Sequence, residues 1–129
     1  MASGTIHKNM VLLWSNPSPT SNFSAQTIPL DLSEYSFVGI TMRKAKPSGD
    51  DAALHFNIVG VGWTNARVFG HASSLGYIYD SYRNVTVTTS GVTFSSGYET
   101  GLTSQGYIVG NSSANTAQAI PCEIYGIKA

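Results

Sequence analysis

The chain has 129 residues, with 7 Lys plus Arg set against 7 Asp plus Glu and only 11% charged residues in all. That length suits one domain with its own core, and a balanced charge without a basic run excludes nucleic acid as a main partner, because phosphate binding relies on clustered cations. So little charge leaves the surface to Ser, Thr, Asn, Gln and Gly, and it puts little repulsion between copies of the chain.

Residues 1–9, MASGTIHKN, are polar and non-periodic and predict a flexible arm ahead of a single domain over 10–129. They hold no hydrophobic signal core, and no apolar run approaches the roughly 18 residues that cross a bilayer, so no membrane insertion is expected. The first predicted strand, 10–14, ends in Trp14 and leads through the polar loop SNPSPTSN to a second strand at 25–31. Asp31 and Ser33 stand where a cap would, which predicts a single helical turn over Ser33 to Tyr35. At 36–44, Val38, Ile40 and Met42 alternate with Gly39, Thr41 and Arg43, the period of a half-buried strand. Arg43, Lys44 and Lys46 are followed at once by Asp50 and Asp51, which reads as a solvated hairpin tip.

The next strand, 53–60, sets Leu54, Phe56 and Ile58 against His55, Asn57 and Val59, and Gly60 and Gly62 after it mark a bulge or a close backbone approach. Strands follow at 66–71, 76–82, 84–89, 92–95, 106–110 and 119–127. In the last of these Ile120, Cys122 and Ile124 stand opposite Glu123 and Tyr125, and Pro121 predicts an edge or a bulge. Turn clusters such as KPSGDD, GHASSLG, TTSG, SSGYETG and GNSSAN separate them, while helical spacing never persists beyond two turns. The pattern is that of an all-β fold, an antiparallel, jelly-roll-like β-sandwich of about eight to ten short strands.

For chemistry the residues offer little. His7, His55 and His71 form no tightly spaced ligand pair, and Asp50, Asp51 and His55 would share a site only if the hairpin folded back, so no metal and no other cofactor is expected. There is no Gly-x-Ser-x-Gly elbow, and the single cysteine, Cys122, sits between Ile120 and Ile124 as a buried hydrophobe, so catalysis is not expected either. Asp80, Glu99 and Glu123 each have a tyrosine beside them, an arrangement that can grip a sugar between ring and carboxylate or simply fill strand faces. Trp14, Tyr77, Tyr79, Tyr82, Tyr98 and Tyr107 are the candidate ligand or interface residues, since tyrosine brings contact area at low entropic cost.

The opening LLWSNPSPTSNFSAQTIPLDLSEYSFVGITMR and the close IPCEIYGIK together resemble small virion structural proteins of tailed bacteriophages, including tail- and head-fibre domains. The matching positions are Leu13, Trp14, Asn16, Pro17, Phe23, Ala25, Gln26, Thr27, Leu30, Leu32 and Tyr35 at the front, then Ile124, Tyr125, Gly126, Ile127 and Lys128 at the end. Residues 47–118 carry no such pattern, and the motifs are structural, so no catalytic residue comes with them. The resemblance implies a non-enzymatic subunit on the virion surface, assembled in the host cytoplasm, of head-fibre, tail-fibre or capsid-decoration type. Its partners would be itself, as a homotrimer, and other virion proteins. Trp14 and Phe23 would close one end of the sandwich. The rival reading is a receptor- or carbohydrate-binding module of a phage tail that holds a host-surface glycan through its tyrosines.

Overall fold

The computed structural model describes residues 9–45, 54–74, 77–103, 108–109 and 114–128, with backbone alone for 45, 71–74, 77–80, 100–103 and 108–109. Ten strands lie among them: β1 (Met10–Ser15), β2 (Gln26–Pro29), β3 (Phe37–Ala45), β4 (Leu54–Gly60), β5 (Ala66–Ser74), β6 (Tyr77–Thr88), β7 (Gly91–Phe94), β8 (Tyr98–Thr103), β9 (Ile108–Val109) and β10 (Gln118–Ile127). The described residues contain no helix. The first sheet runs β1-β10-β3-β4. In the second, β7 and β8 lie end to end along one side of β6, β5 pairs along its other side, and β2 and β9 border β7 and β8. Every pairing is antiparallel, and the first and last strands are neighbours, as in a jelly roll. The hairpins β3–β4 and β5–β6 each stay within one sheet, which is where the winding departs from that fold.

The core lies between the sheets. Val38, Ile40 and Met42 of β3, Val59 of β4 and Ile124 of β10 meet Val68 of β5, Val85 and Val87 of β6, Val92 and Phe94 of β7 and Ile28 of β2, all buried. Each such side chain stabilises the fold by roughly 1.5–3 kcal/mol. Phe23 joins this core and Trp14 packs against it edge to face with ring centroids 6.1 Å apart, while Phe23 stands edge-on to Phe94 at 5.5 Å. Asn16 extends the β1–β10 ladder: its N–H donates to the Cys122 carbonyl at 2.8 Å and its Nδ2 to the Pro121 carbonyl at 2.8 Å, while its Oδ1 receives the Ser18 N–H.

Several expectations need correction. The segments 76–82 and 84–89 are one twelve-residue strand, β6, because the residue between them, Arg83, belongs to its inward row. SSGYETG is not only a turn, since Tyr98–Thr103 pairs with Tyr77–Tyr82 as β8. Ser33 to Tyr35 form a hydrogen-bonded turn rather than a helical one, with the Tyr35 N–H donating to the Leu32 carbonyl at 3.1 Å. The Asp31 carboxylate caps it by accepting from the Ser33 N–H and hydroxyl, bonds that hold its pKa below the usual carboxylate value. Pro121 marks a bulge, with the register shifting between Pro121 and Glu123, but β10 is an inner strand rather than an edge. Arg43 and Lys44 are not part of a solvated tip: both lie in β3, Arg43 buried and Lys44 paired with Glu99, while the rest of that predicted tip, at 46–53, and residues 1–8 of the arm predicted at 1–9 lie outside the described residues.

Arg83 is fully buried. Its Nε donates to the Ala119 carbonyl at 2.6 Å, Nη1 to the Ser95 carbonyl at 2.9 Å, and Nη2 to the Thr116 and Gln118 carbonyls at 3.2 and 3.0 Å. In a regular strand successive carbonyls point to opposite sides; among the described residues the non-glycine positions of positive φ are Asn65 at 54° and Ala119 at 50°, and the turn of the backbone at Ala119 lets Gln118 and Ala119 aim at one guanidinium. Burial pushes the Arg83 pKa down to about 10.

Candidate functional site: the outer face of the first sheet

Hydrophobicity alone would turn Leu54, Phe56 and Ile58 inward. Instead they stand 56%, 44% and 59% exposed, and it is Val59 that is buried. The reason lies with Asn57, whose Nδ2 donates to the Phe69 carbonyl at 2.9 Å and whose Oδ1 accepts the Phe69 N–H at 2.9 Å. That side chain serves β5 as a neighbouring strand would, so β4 must present Asn57 and Val59 to the second sheet and Leu54, Phe56 and Ile58 to solvent.

Register then assembles one surface. Uninterrupted pairing of β3 with β4 puts Phe37, Gly39, Thr41 and Arg43 on the face of Leu54, Phe56 and Ile58. Tyr125 opposite Gly39, Glu123 opposite Thr41 and Ile127 opposite Phe37 continue it onto β10, and Leu12 opposite Tyr125 onto β1. Trp63, in the turn after β4, folds back so that its indole lies where a Gly60 side chain would be. Gly62 makes that turn with φ at +99°. Gly39 similarly leaves room for the Phe56 ring, which stands edge-on to Tyr125 at 6.3 Å. Among the described residues the exposed large hydrophobic side chains are Leu12, Phe37, Leu54, Phe56, Ile58, Trp63 and Val11, and all but Val11 belong to this face. Val11 alternates to the other side of β1.

A polar strip crosses the apolar surface. Glu123 Oε1 accepts from the Tyr125 hydroxyl at 3.1 Å and the Thr41 hydroxyl at 3.4 Å. Partial burial and that anionic neighbour push the Tyr125 pKa upward. Arg43, 9% exposed, has an Nε without an acceptor. Cys122 beside them is buried, and its thiol is pushed up to about 11 by burial, with Arg43 opposing the shift and Glu123 adding to it. A thiol so protonated near neutrality is a poor nucleophile.

The residues singled out from sequence fall elsewhere. Trp14 is half-buried against Phe23. Tyr82 is buried on the outer side of the second sheet, with the Arg67 guanidinium 3.9 Å over its ring and Tyr98 stacked beside it at 5.5 Å. Tyr77 and Tyr79 lie in β6, where the structure describes backbone alone, and Tyr107 lies outside the described residues. Of the three carboxylates beside tyrosines, Glu123 joins the exposed face and Glu99 receives Lys44 Nζ at 2.7 Å between the sheets. Among the described residues no three His, Cys, Asp or Glu side chains come together. An open depression of about 470 Å³ lined by Pro29, Leu30, Asp31, Thr89 and Ser90 has its one carboxylate turned into the Ser33 turn. Sequence reading missed the face because its signal, an apolar row on a strand whose polar row also has a partner, is indistinguishable from a core strand. Trp63 in the glycine turn GVGW was the one overt sign.

No protein-family model, curated protein or solved structure matches the chain.

Proposed function

We propose that the chain is a non-catalytic structural subunit that works by contact, burying the outer face of the first sheet against protein. The observation that carries this reading is the gathering of Leu12, Phe37, Leu54, Phe56, Ile58 and Trp63 on one side of one sheet. A soluble domain rarely exposes a contiguous apolar patch of several hundred Å² unless something covers it. We place the subunit on a bacteriophage particle, as a fibre or decoration component, on the terminal sequence patterns. In the fold the matching residues form β1 with its Asn-Pro exit, β2 of the second sheet, the turn that ends at Tyr35, and β10.

The test is co-sedimentation with particles from infected cells. The wild-type chain should travel with the particles, and Phe56→Ser with Ile58→Ser should stay in the soluble fraction while keeping its thermal midpoint. A wild-type chain left in the soluble fraction overturns the virion reading. A double variant that is incorporated normally overturns the role of the face.

A glycan-binding reading has one observation in its favour, the Phe56 and Tyr125 rings beside the Glu123 carboxylate. The aliphatic Leu12, Leu54 and Ile58 around them weigh against it, since sugars stack on rings and gain little from branched alkyl groups. Calorimetric titration with glycans, lost in Glu123→Gln, would reinstate it.

A further inference from the structure

We infer that the outer face of the first sheet packs against the same face of a second copy, around a twofold axis running along the strands between β10 and β3. The inference rests on the proposed role of that face in assembly.

Overlap selects this axis. It lays β1 over the partner's β4 and β10 over the partner's β3, so the whole four-stranded face is covered in an aligned sheet-on-sheet packing. Along the row Leu12, Tyr125, Gly39, Ile58, the ends exchange: Leu12, 50% exposed, lands on the partner's Ile58, 59% exposed. Charge agrees with it. Glu123 comes over the partner's Thr41, and the partner's Arg43 stands one pleat further along that strand, about 7 Å away and within the reach of an arginine side chain. Glu123 and Arg43 thus flank the axis on both copies, with Arg43 9% exposed in the single chain. Among the described residues Arg43 makes no ion pair within its own chain.

Area sets the strength. Four strands about 4.8 Å apart and about seven residues long give a footprint of about 440 Å² per copy, before Trp63 is added. Two copies bury roughly 1,000 Å², at the lower limit of specific interfaces, so the dimer is weak and reversible.

Sedimentation of the purified chain up to about 1 mM, where an interface of about −4 kcal/mol is half occupied, tests it. A reversible monomer–dimer equilibrium is expected. Leu12→Glu alone and Ile58→Lys alone should each weaken it by about tenfold or more, and the two together should restore it, because the new charges face each other across the axis. Both positions are well exposed, so the fold survives, which unchanged thermal midpoints would verify. A monomer at every concentration, a trimer, or a dimer indifferent to the two single variants overturns the inference. A monomeric chain that still enters particles overturns the dimer alone; a dimer that stays out of them overturns the virion reading alone.

Discussion

Replacing Arg83 by Met removes a buried cation that has no carboxylate partner among the described residues, and the outcome separates two physical expectations. One holds that an isolated buried charge is a burden, so that an apolar replacement is neutral or stabilising. The other starts from the four carbonyls of Ser95, Thr116, Gln118 and Ala119, which lie just past the end of β7, in a turn and at the start of β10 and receive the guanidinium. The bond to Ala119 is buried and the other three are partly so. Leaving the buried carbonyl without a donor costs about 2 kcal/mol and the partly wetted ones about 1 each, roughly 5 in all. Relief of guanidinium burial and thioether packing against Phe23 return about 2 kcal/mol, so a net loss of about 3 is expected. For a domain of this size that is a fall of about 12 °C in the melting midpoint. Urea unfolding followed by Trp14 fluorescence, with an unchanged m-value, gives the free energy directly. Arg83→Lys should lose nearly as much, since an ammonium cannot fork to four acceptors. An Arg83→Met protein as stable as the wild type would refute the reasoning.

Three further outcomes follow from the geometry. Asn57→Ala should destabilise the domain by about 1–3 kcal/mol, and the Phe69 amide should exchange far faster in its hydrogen-exchange spectrum, since both its N–H and carbonyl lose their partner. Gly39→Val should drive the Phe56 ring off Tyr125 with little change in stability, because that ring is exposed and free to swing outward, and the shift should be visible as a changed aromatic near-UV dichroism; an unaltered spectrum would contradict the close approach. Cys122 holds its proton more tightly folded than unfolded, so its contribution to stability is complete below the ordinary thiol range and declines as pH rises toward about 11. Wild type should therefore lose more stability than Cys122→Ala over that interval, and a thiol reagent at neutral pH should label Cys122 only on unfolding.

The layered architecture was legible because alternation is a local property: Val38, Ile40 and Met42, or Val85 and Val87, face the core as their spacing predicts. Arg83 shares the parity of Val85 and Val87, so its inward direction was written in the same pattern. The predicted strands 76–82 and 84–89 leave it out, and nothing local announces four carbonyls arriving from residues 95 to 119. β8 was hidden for a related reason, since Tyr98 to Thr103 is a strand through pairing with β6 rather than through its own small polar residues. The candidate site was the least legible part. Which row of β4 faces solvent depends on Asn57 meeting the β5 backbone, a contact between sheets that periodicity cannot express. Tyr82 and Tyr98, conspicuous by composition, are engaged with Arg67 and with each other.

The margins of the sandwich bear on how copies can meet. An unpaired strand edge invites another strand, and such growth has no built-in end. Here β1 carries a bulge between Leu12 and Trp14, β2 ends at the exposed Pro29, and the free side of β5 is occupied by the Asn57 amide. Each device removes or misaligns the donors and acceptors that an added strand would need. The flat face of the first sheet has no comparable obstruction, and a face that pairs with itself about a twofold axis is used up after two copies. Obstructed margins at β1, β2 and β5 beside an open apolar face therefore favour closed, countable assembly over open-ended strand addition at those margins. Freeing the β5 margin with Asn57→Ala should reverse that preference, so that the variant forms elongated aggregates that bind an amyloid dye while the wild type at equal concentration stays a discrete species; dye binding by both proteins alike, or by neither, would show that the edges do not govern association.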